Sequence, residues 1–208
     1  EHLGIRFSND ADFIKRCVDQ AGICNLHAPL FHPAMKSVAP IRRELGVKTF
    51  FNMLGPLVNP TFPKHQLAGV FNLELARLYG YLFQKTDQNF TIIHALDGYD
   101  EISLTGPAKA IRNNGESIIA PQDFGLLALD EKQISGGATV PSSAAIFTAI
   151  LDGKGSQAQN DVVCANAAMA IATATNCTPL EGFEKAKVSL LSGQAAKSFK
   201  TLQNLSAS

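Results

Sequence analysis

With 208 residues, 46% of them apolar, the chain can bury a full core, so one large domain, or one domain with an appendage, is expected. Lysine plus arginine equals aspartate plus glutamate at 18 each, which removes the overall positive field that would draw nucleic acid or an anionic membrane. The four cysteines form no C-x-x-C pair and have no histidine at zinc-finger spacing, which reads as reduced thiols in a cytosolic protein.

In chain order, Ser8-Asn9-Asp10 offers capping side chains before Phe13, Ile14, Cys17, Val18 and Ala21, which recur at helical spacing until Gly22. Residues 23–28 read as a short strand closed by Pro29. His27 and His32 follow closely, either as packing residues or as ligands. A second helix is predicted from Pro33, with Met35, Val38, Ile41 and Leu45 forming one stripe and Pro40 kinking it. Arg42 and Arg43 come just after the kink and point about 100° apart, so one guanidinium can meet a carboxylate or phosphate while the other is solvated, or both lie on the surface. Residues 50–60 carry Gly-Pro and Asn-Pro and predict an irregular, buried connection.

A strand over 66–71, a helix over 74–85 and a strand over 90–96 predict a parallel pair with a right-handed crossover. The loop 96–107, LDGYDEISLTGP, therefore leaves the carboxyl end of a parallel strand, where ligands bind in open α/β sheets. Asp100 and Glu101 in it can share hydrated Mg²⁺, which takes only one or two protein carboxylates; equally, acidic residues beside Gly98 are ordinary turn residues, and the pattern alone leaves both open. Asn114-Gly115 centres a hairpin over 108–120, residues 121–125 form one turn of helix or a loop, and Gly136-Gly137 reads as a turn because it lacks any phosphate-loop pattern. Helices follow over 142–151, 161–175, 180–192 and 193–205. The expected class is α/β: a single domain over 1–208 with a central, largely parallel sheet surrounded by helices, a small β-hairpin and a helical C-terminal segment.

Three phrases go beyond periodicity: FHPAMK at 31–36 leading into APIRRELGVKTFFNMLGPLVNP at 39–60, LDGYDEISLTGP at 96–107, and GGATVPSSAAIFTAILDGKG at 136–155 before NDVVCANAAMAIA at 160–172. Together, in order and over essentially the whole chain, they resemble the anthranilate phosphoribosyltransferases, glycosyl transferase family 3 of the nucleoside phosphorylase-like superfamily. The resemblance implies transfer of the phosphoribosyl group of phosphoribosyl pyrophosphate (PRPP) to the amine of anthranilate, for tryptophan synthesis, with no covalent nucleophile. It implies Asp100 and Glu101 as ligands of two Mg²⁺ ions, Glu101 being shared, and Arg42 rather than Arg43 as the partner of the anthranilate carboxylate. His32 is implied, more weakly, near the anthranilate channel. Partners would be anthranilate and PRPP, with neither nucleic acid nor membrane, in a homodimeric cytoplasmic enzyme.

Two of the family's loops, GTGGD and KHGN, appear nowhere in the sequence, and Glu1 is not Met, so the expectation is a carboxyl-terminal portion with little activity alone. His27 stands where an aromatic is commoner and Val58 where Thr is commoner. The alternatives are a pyrimidine nucleoside phosphorylase-like enzyme and a non-catalytic nucleic-acid-binding paralogue. Zero net charge argues against the latter.

Overall fold

The computed structural model describes residues 2–33, 44 and 53–207. Its contacts group the chain, for which the sequence predicts one domain, into two compact units: Glu1–Phe62 with Ala195–Ser208, and Pro63–Gln194.

In the first unit, α1 (Ala11–Ala21) begins where the Asp10 side chain accepts from the Phe13 N–H at 2.7 Å and ends at Gly22, whose φ of 71° favours a residue without Cβ. Phe13, Cys17 and Ala21 of its buried stripe pack with Leu202 of the last helix, α7 (Gln194–Ala207). Gln203 ties that helix to the Leu3 carbonyl at 2.8 Å. The strand expected over 23–28 does not form. Pro29, with its φ preset for a first turn, instead opens a short helix, α2 (Ala28–Phe31). His27 stacks on Phe7 with ring centroids 4.8 Å apart, so an imidazole does the packing expected of an aromatic there. The predicted helix from Pro33 and its Pro40 kink lie outside the described residues, apart from Pro33 and Glu44.

The second unit is built on a four-stranded sheet in the order β1 (His65–Gly69), β2 (Asn89–Ala95), β3 (Ala108–Arg112) and β4 (Gly115–Ile119). β1 and β2 pair in parallel across α3 (Leu73–Phe83), as the β-α-β pattern predicts. The hairpin around Asn114-Gly115 is not an appendage. Its first strand pairs antiparallel with β2, Ile92 opposite Ile111, so the sheet among the described residues is mixed rather than largely parallel. A loop of 12 residues after β2 folds back over its own strand end, with Leu96 N–H donating to the Pro107 carbonyl at 2.9 Å, and this reverses the chain without a crossover helix.

β2 is buried on both faces. Phe90 stacks on Phe83 of α3 at 5.5 Å, while alternate residues Thr91, Ile93 and Ala95 face α5 (Gln157–Thr175), where Thr91 Oγ1 lies 2.7 Å from Thr173 Oγ1. The glycine of α6 (Pro179–Leu191), Gly182, has no room for a side chain: a Cβ there would lie 2.6 Å from the Ala168 carbonyl oxygen of α5. The core therefore runs through Ile93, Leu104, Phe124, Ala165, Met169 and Phe183. α4 (Val140–Leu151) completes the helical layer. No described helix is long and apolar enough to cross a membrane.

Candidate active site

Loop 96–107 leaves the carboxyl end of β2, and most of its polar groups that are bonded hold its own shape or tie it to the elements packed against it. Ala95 and Leu96 N–H groups donate to the carbonyls of Tyr99 and Pro107, each at 2.9 Å. The Asp97 carboxylate accepts from Ser103 Oγ at 2.9 Å and from Thr105 Oγ1, so the first acidic residue of the loop is a structural brace. Ser103 is buried, and Leu104, fully buried, adopts φ 61°, a conformation that only firm packing imposes on a branched side chain. Tyr99 O–H donates to Glu131 Oε1 at 3.0 Å, and this bond is the main cause of its raised pKa.

Asp100 and Glu101 are the exceptions. Both are exposed, and neither makes a hydrogen bond or an ion pair with a described residue. Glu101 opens onto a cavity of about 640 Å³ whose wall also includes Tyr99, Ser103, Glu131, Lys132 and Gly136. No three His, Cys, Asp or Glu side chains gather to enclose a metal among the described residues. Two carboxylates with no partner and no third ligand among the described residues suit Mg²⁺, which keeps most of its positions for water and phosphate oxygens, better than Zn²⁺, which is enclosed by nitrogen and sulfur.

Two backbone constraints meet at this pair. A Cβ placed on Gly69, the last residue of β1, would lie 1.7 Å from the Asp100 carbonyl oxygen, so the parallel neighbour strand abuts the loop directly. Asn166 of α5 accepts from the Ile102 N–H at 2.9 Å and donates to the Ile102 carbonyl at 2.8 Å. Neither residue stands out in the sequence, since each acts through the backbone of a partner far along the chain. Gly136-Gly137, predicted as a turn, lies in the connection just before α4; Gly136 faces the cavity, and a Cβ on Gly137 would lie 2.3 Å from the Ser143 N–H nitrogen. A glycine pair ahead of a capped helix start is the signal that marks this wall in the sequence.

The remaining predicted residues stand elsewhere. His32, in the first unit, has its Nε2 2.8 Å from the Val58 carbonyl oxygen, which ties it to backbone. Arg42 and Arg43 lie outside the described residues. A smaller cavity of about 290 Å³ at the amino end of β2, walled by Arg112, Asn114 and Asn176, holds no carboxylate and is no rival as a metal site.

A mixed α/β domain with an acidic loop at the carboxyl end of a parallel strand presents that loop where α/β sheets bind their ligands. Residues 1–196 match the glycosyl transferase family, a/b domain, and the chain belongs to that family. It is 66% identical to an anthranilate phosphoribosyltransferase of Flavobacterium johnsoniae over 99% of its own length. Two solved structures are close in fold. One is the anthranilate phosphoribosyltransferase of Thermus thermophilus, with a TM-score of 0.90, 28% identity and 99% of this chain covered. The other is the Saccharomyces cerevisiae enzyme in complex with PRPP and Mg, with a TM-score of 0.89, 25% identity and again 99% of this chain covered. The chain spans 62% of the Flavobacterium and Thermus proteins and 59% of the yeast one.

Proposed function

We propose that this chain carries the metal-binding part of an anthranilate phosphoribosyltransferase, which transfers the phosphoribosyl group of PRPP to the amine of anthranilate. The observation that carries the proposal is the pair Asp100 and Glu101, exposed and without a partner among the described residues, in a loop whose other polar side chains are bonded. The names and bound PRPP and Mg of the relatives support it.

In this reading Asp100 and Glu101 would hold two Mg²⁺ ions, Glu101 being shared between them, and the metal would supply positive charge to the diphosphate oxygens of PRPP. The C1–O bond of PRPP breaks and its electron pair leaves with pyrophosphate. The N–C1 bond to anthranilate forms as that bond opens and the amine nitrogen then gives up one proton to water or the departing pyrophosphate, so the chain's residues bind and orient. Arg42 is the proposed partner of the anthranilate carboxylate, its planar fork matching two oxygens. His32, bonded to the Val58 carbonyl, would shape the wall of the anthranilate channel rather than exchange a proton. A cytoplasmic enzyme is the setting proposed, consistent with four free thiols.

The test replaces the matching segment of the Flavobacterium johnsoniae relative with these 208 residues and follows the loss of anthranilate fluorescence with PRPP and Mg²⁺. Mg²⁺-dependent consumption is expected, abolished by Glu101→Gln and shifted to high anthranilate KM by Arg42→Ala. A folded chimera that consumes a nucleoside and phosphate but no anthranilate refutes the proposal.

A further inference from the structure

The acidic loop holds Glu101 between two constrained peptide planes. The peptide before it contributes the Asp100 carbonyl, pressed against Gly69 so closely that a Cβ would meet it at 1.7 Å. The peptide after it contributes the Ile102 N–H, which donates to Asn166 Oδ1 at 2.9 Å. Asn166 Nδ2 returns a bond to the Ile102 carbonyl at 2.8 Å and is also 2.9 Å from the Val162 carbonyl of its own helix. The side-chain amide thus takes the place of a missing strand. It satisfies both backbone groups of a residue that is buried but belongs to no ladder. With both flanking planes fixed, the direction in which the Glu101 side chain leaves the backbone is fixed as well. The exposed carboxylate needs no partner of its own to be held in place.

We infer that Asn166 is the positioning residue of this site, clamping the Glu101–Ile102 peptide from α5 so that the Glu101 carboxylate is preset for a metal–diphosphate complex. The inference rests on the reading of Asp100 and Glu101 as metal carboxylates. Its physical basis is that Mg²⁺, which gives up its water reluctantly and is held through only one or two carboxylates, has little protein enclosure to organise it, so backbone preorganisation has to supply the geometry. Asn166 touches neither metal nor substrate and acts only through the loop.

The experiment titrates the chimera of the Flavobacterium johnsoniae relative carrying these 208 residues with Mn²⁺ and inorganic diphosphate, reads protein-bound Mn²⁺ by electron paramagnetic resonance against a protein-free blank of the same diphosphate, and records thermal unfolding in parallel. Asn166→Ala is expected to weaken Mn²⁺ binding by about 10- to 100-fold, the usual effect of removing an outer partner of a ligand. Asn166→Asp keeps the shape and the acceptor for Ile102 N–H but turns an oxygen on two carbonyls. It is expected to weaken binding similarly, and it serves if the alanine variant does not fold. Thr173→Val, which removes the buried bond to Thr91 from the same helix, lowers the unfolding temperature but leaves Mn²⁺ affinity unchanged. Parent-like affinity in both Asn166 variants, or an equal loss in Thr173→Val, overturns the inference by reducing Asn166 to a general stabiliser. Parent-like affinity in Asp100→Asn with Glu101→Gln is a different result, since it removes the metal reading itself.

Discussion

Gly69→Ala isolates the close approach of β1 to the acidic loop. The added methyl would sit 1.7 Å from the Asp100 carbonyl oxygen and 2.9 Å from its carbonyl carbon, both backbone atoms that no rotamer change can clear. A carbon–oxygen contact relaxes at about 3.3 Å, so the loop and strand must separate by about 1.6 Å along that direction. Ala68, next to it, pairs with Ile92 of β2 and is buried, which leaves the strand little room to yield, and the displacement falls mainly on Asp100 and Glu101. Overpacking of this kind costs about 1–3 kcal/mol of stability. A shift above about 1 Å at a positioned group costs about 100-fold in function. Calorimetry and Mn²⁺–diphosphate titration of the chimera carrying these 208 residues should therefore show a lowered unfolding temperature together with a large loss of metal affinity. A variant that unfolds at a lower temperature yet binds Mn²⁺ like the parent would show that the loop moves without its carboxylates mattering, and one unchanged in both would refute the packing argument.

Other variants test separate parts of the molecule. Asp161 is buried on α5, and loss of hydration raises its pKa above the ordinary 3.8 despite the bond from Gln157 and the charge of Lys187. A raised carboxyl stabilises the fold fully only below the unfolded value and loses that contribution as pH rises through the folded one, so Asp161→Asn should be at least as stable as the parent at neutral pH by thermal unfolding. Thr178 donates to Glu181 Oε2 from its backbone N–H at 2.8 Å and its hydroxyl at 2.9 Å, holding that carboxyl below 4.5. This contribution is present above the unfolded value and lost as pH falls through the folded one. The deficit of Thr178→Ala should therefore be full at neutral pH, about 0.5–2 kcal/mol for a lost cap, and shrink in acid. Leu202→Ala empties the centre of the small core around Phe13 and Cys17 and should cost about 2–5 kcal/mol in denaturant unfolding.

Much of this protein was readable from local chemistry. Asn114-Gly115 defined the hairpin, the short apolar runs 66–71 and 90–96 defined the parallel pair, and the acidic loop 96–107 stood out because three carboxylates follow a buried strand. Helix starts were less legible. α5 begins four residues before the predicted Asp161 because Ser156 and Gln159 close a capping box that outweighs the lack of apolar spacing there. α4 begins at Val140, since Pro141 sits in a first turn where its missing N–H costs nothing.

Tertiary structure alone sorted the three carboxylates of the loop. Asp97 is taken by Ser103 and Thr105, while Asp100 and Glu101 have no partner among the described residues, and carboxylates alone cannot signal that difference until the chain's turn decides which oxygens meet hydroxyls. The same holds for Gly69 and Asn166, whose partners lie 31 and 64 residues away. Sequence by itself determines where the backbone can bend and which faces must be buried, because those depend on neighbouring residues. Which buried backbone groups are satisfied by which distant side chains is fixed only when the sheet and α5 close on the loop, because an unpaired peptide group inside the fold must find whatever partner the packing brings within reach.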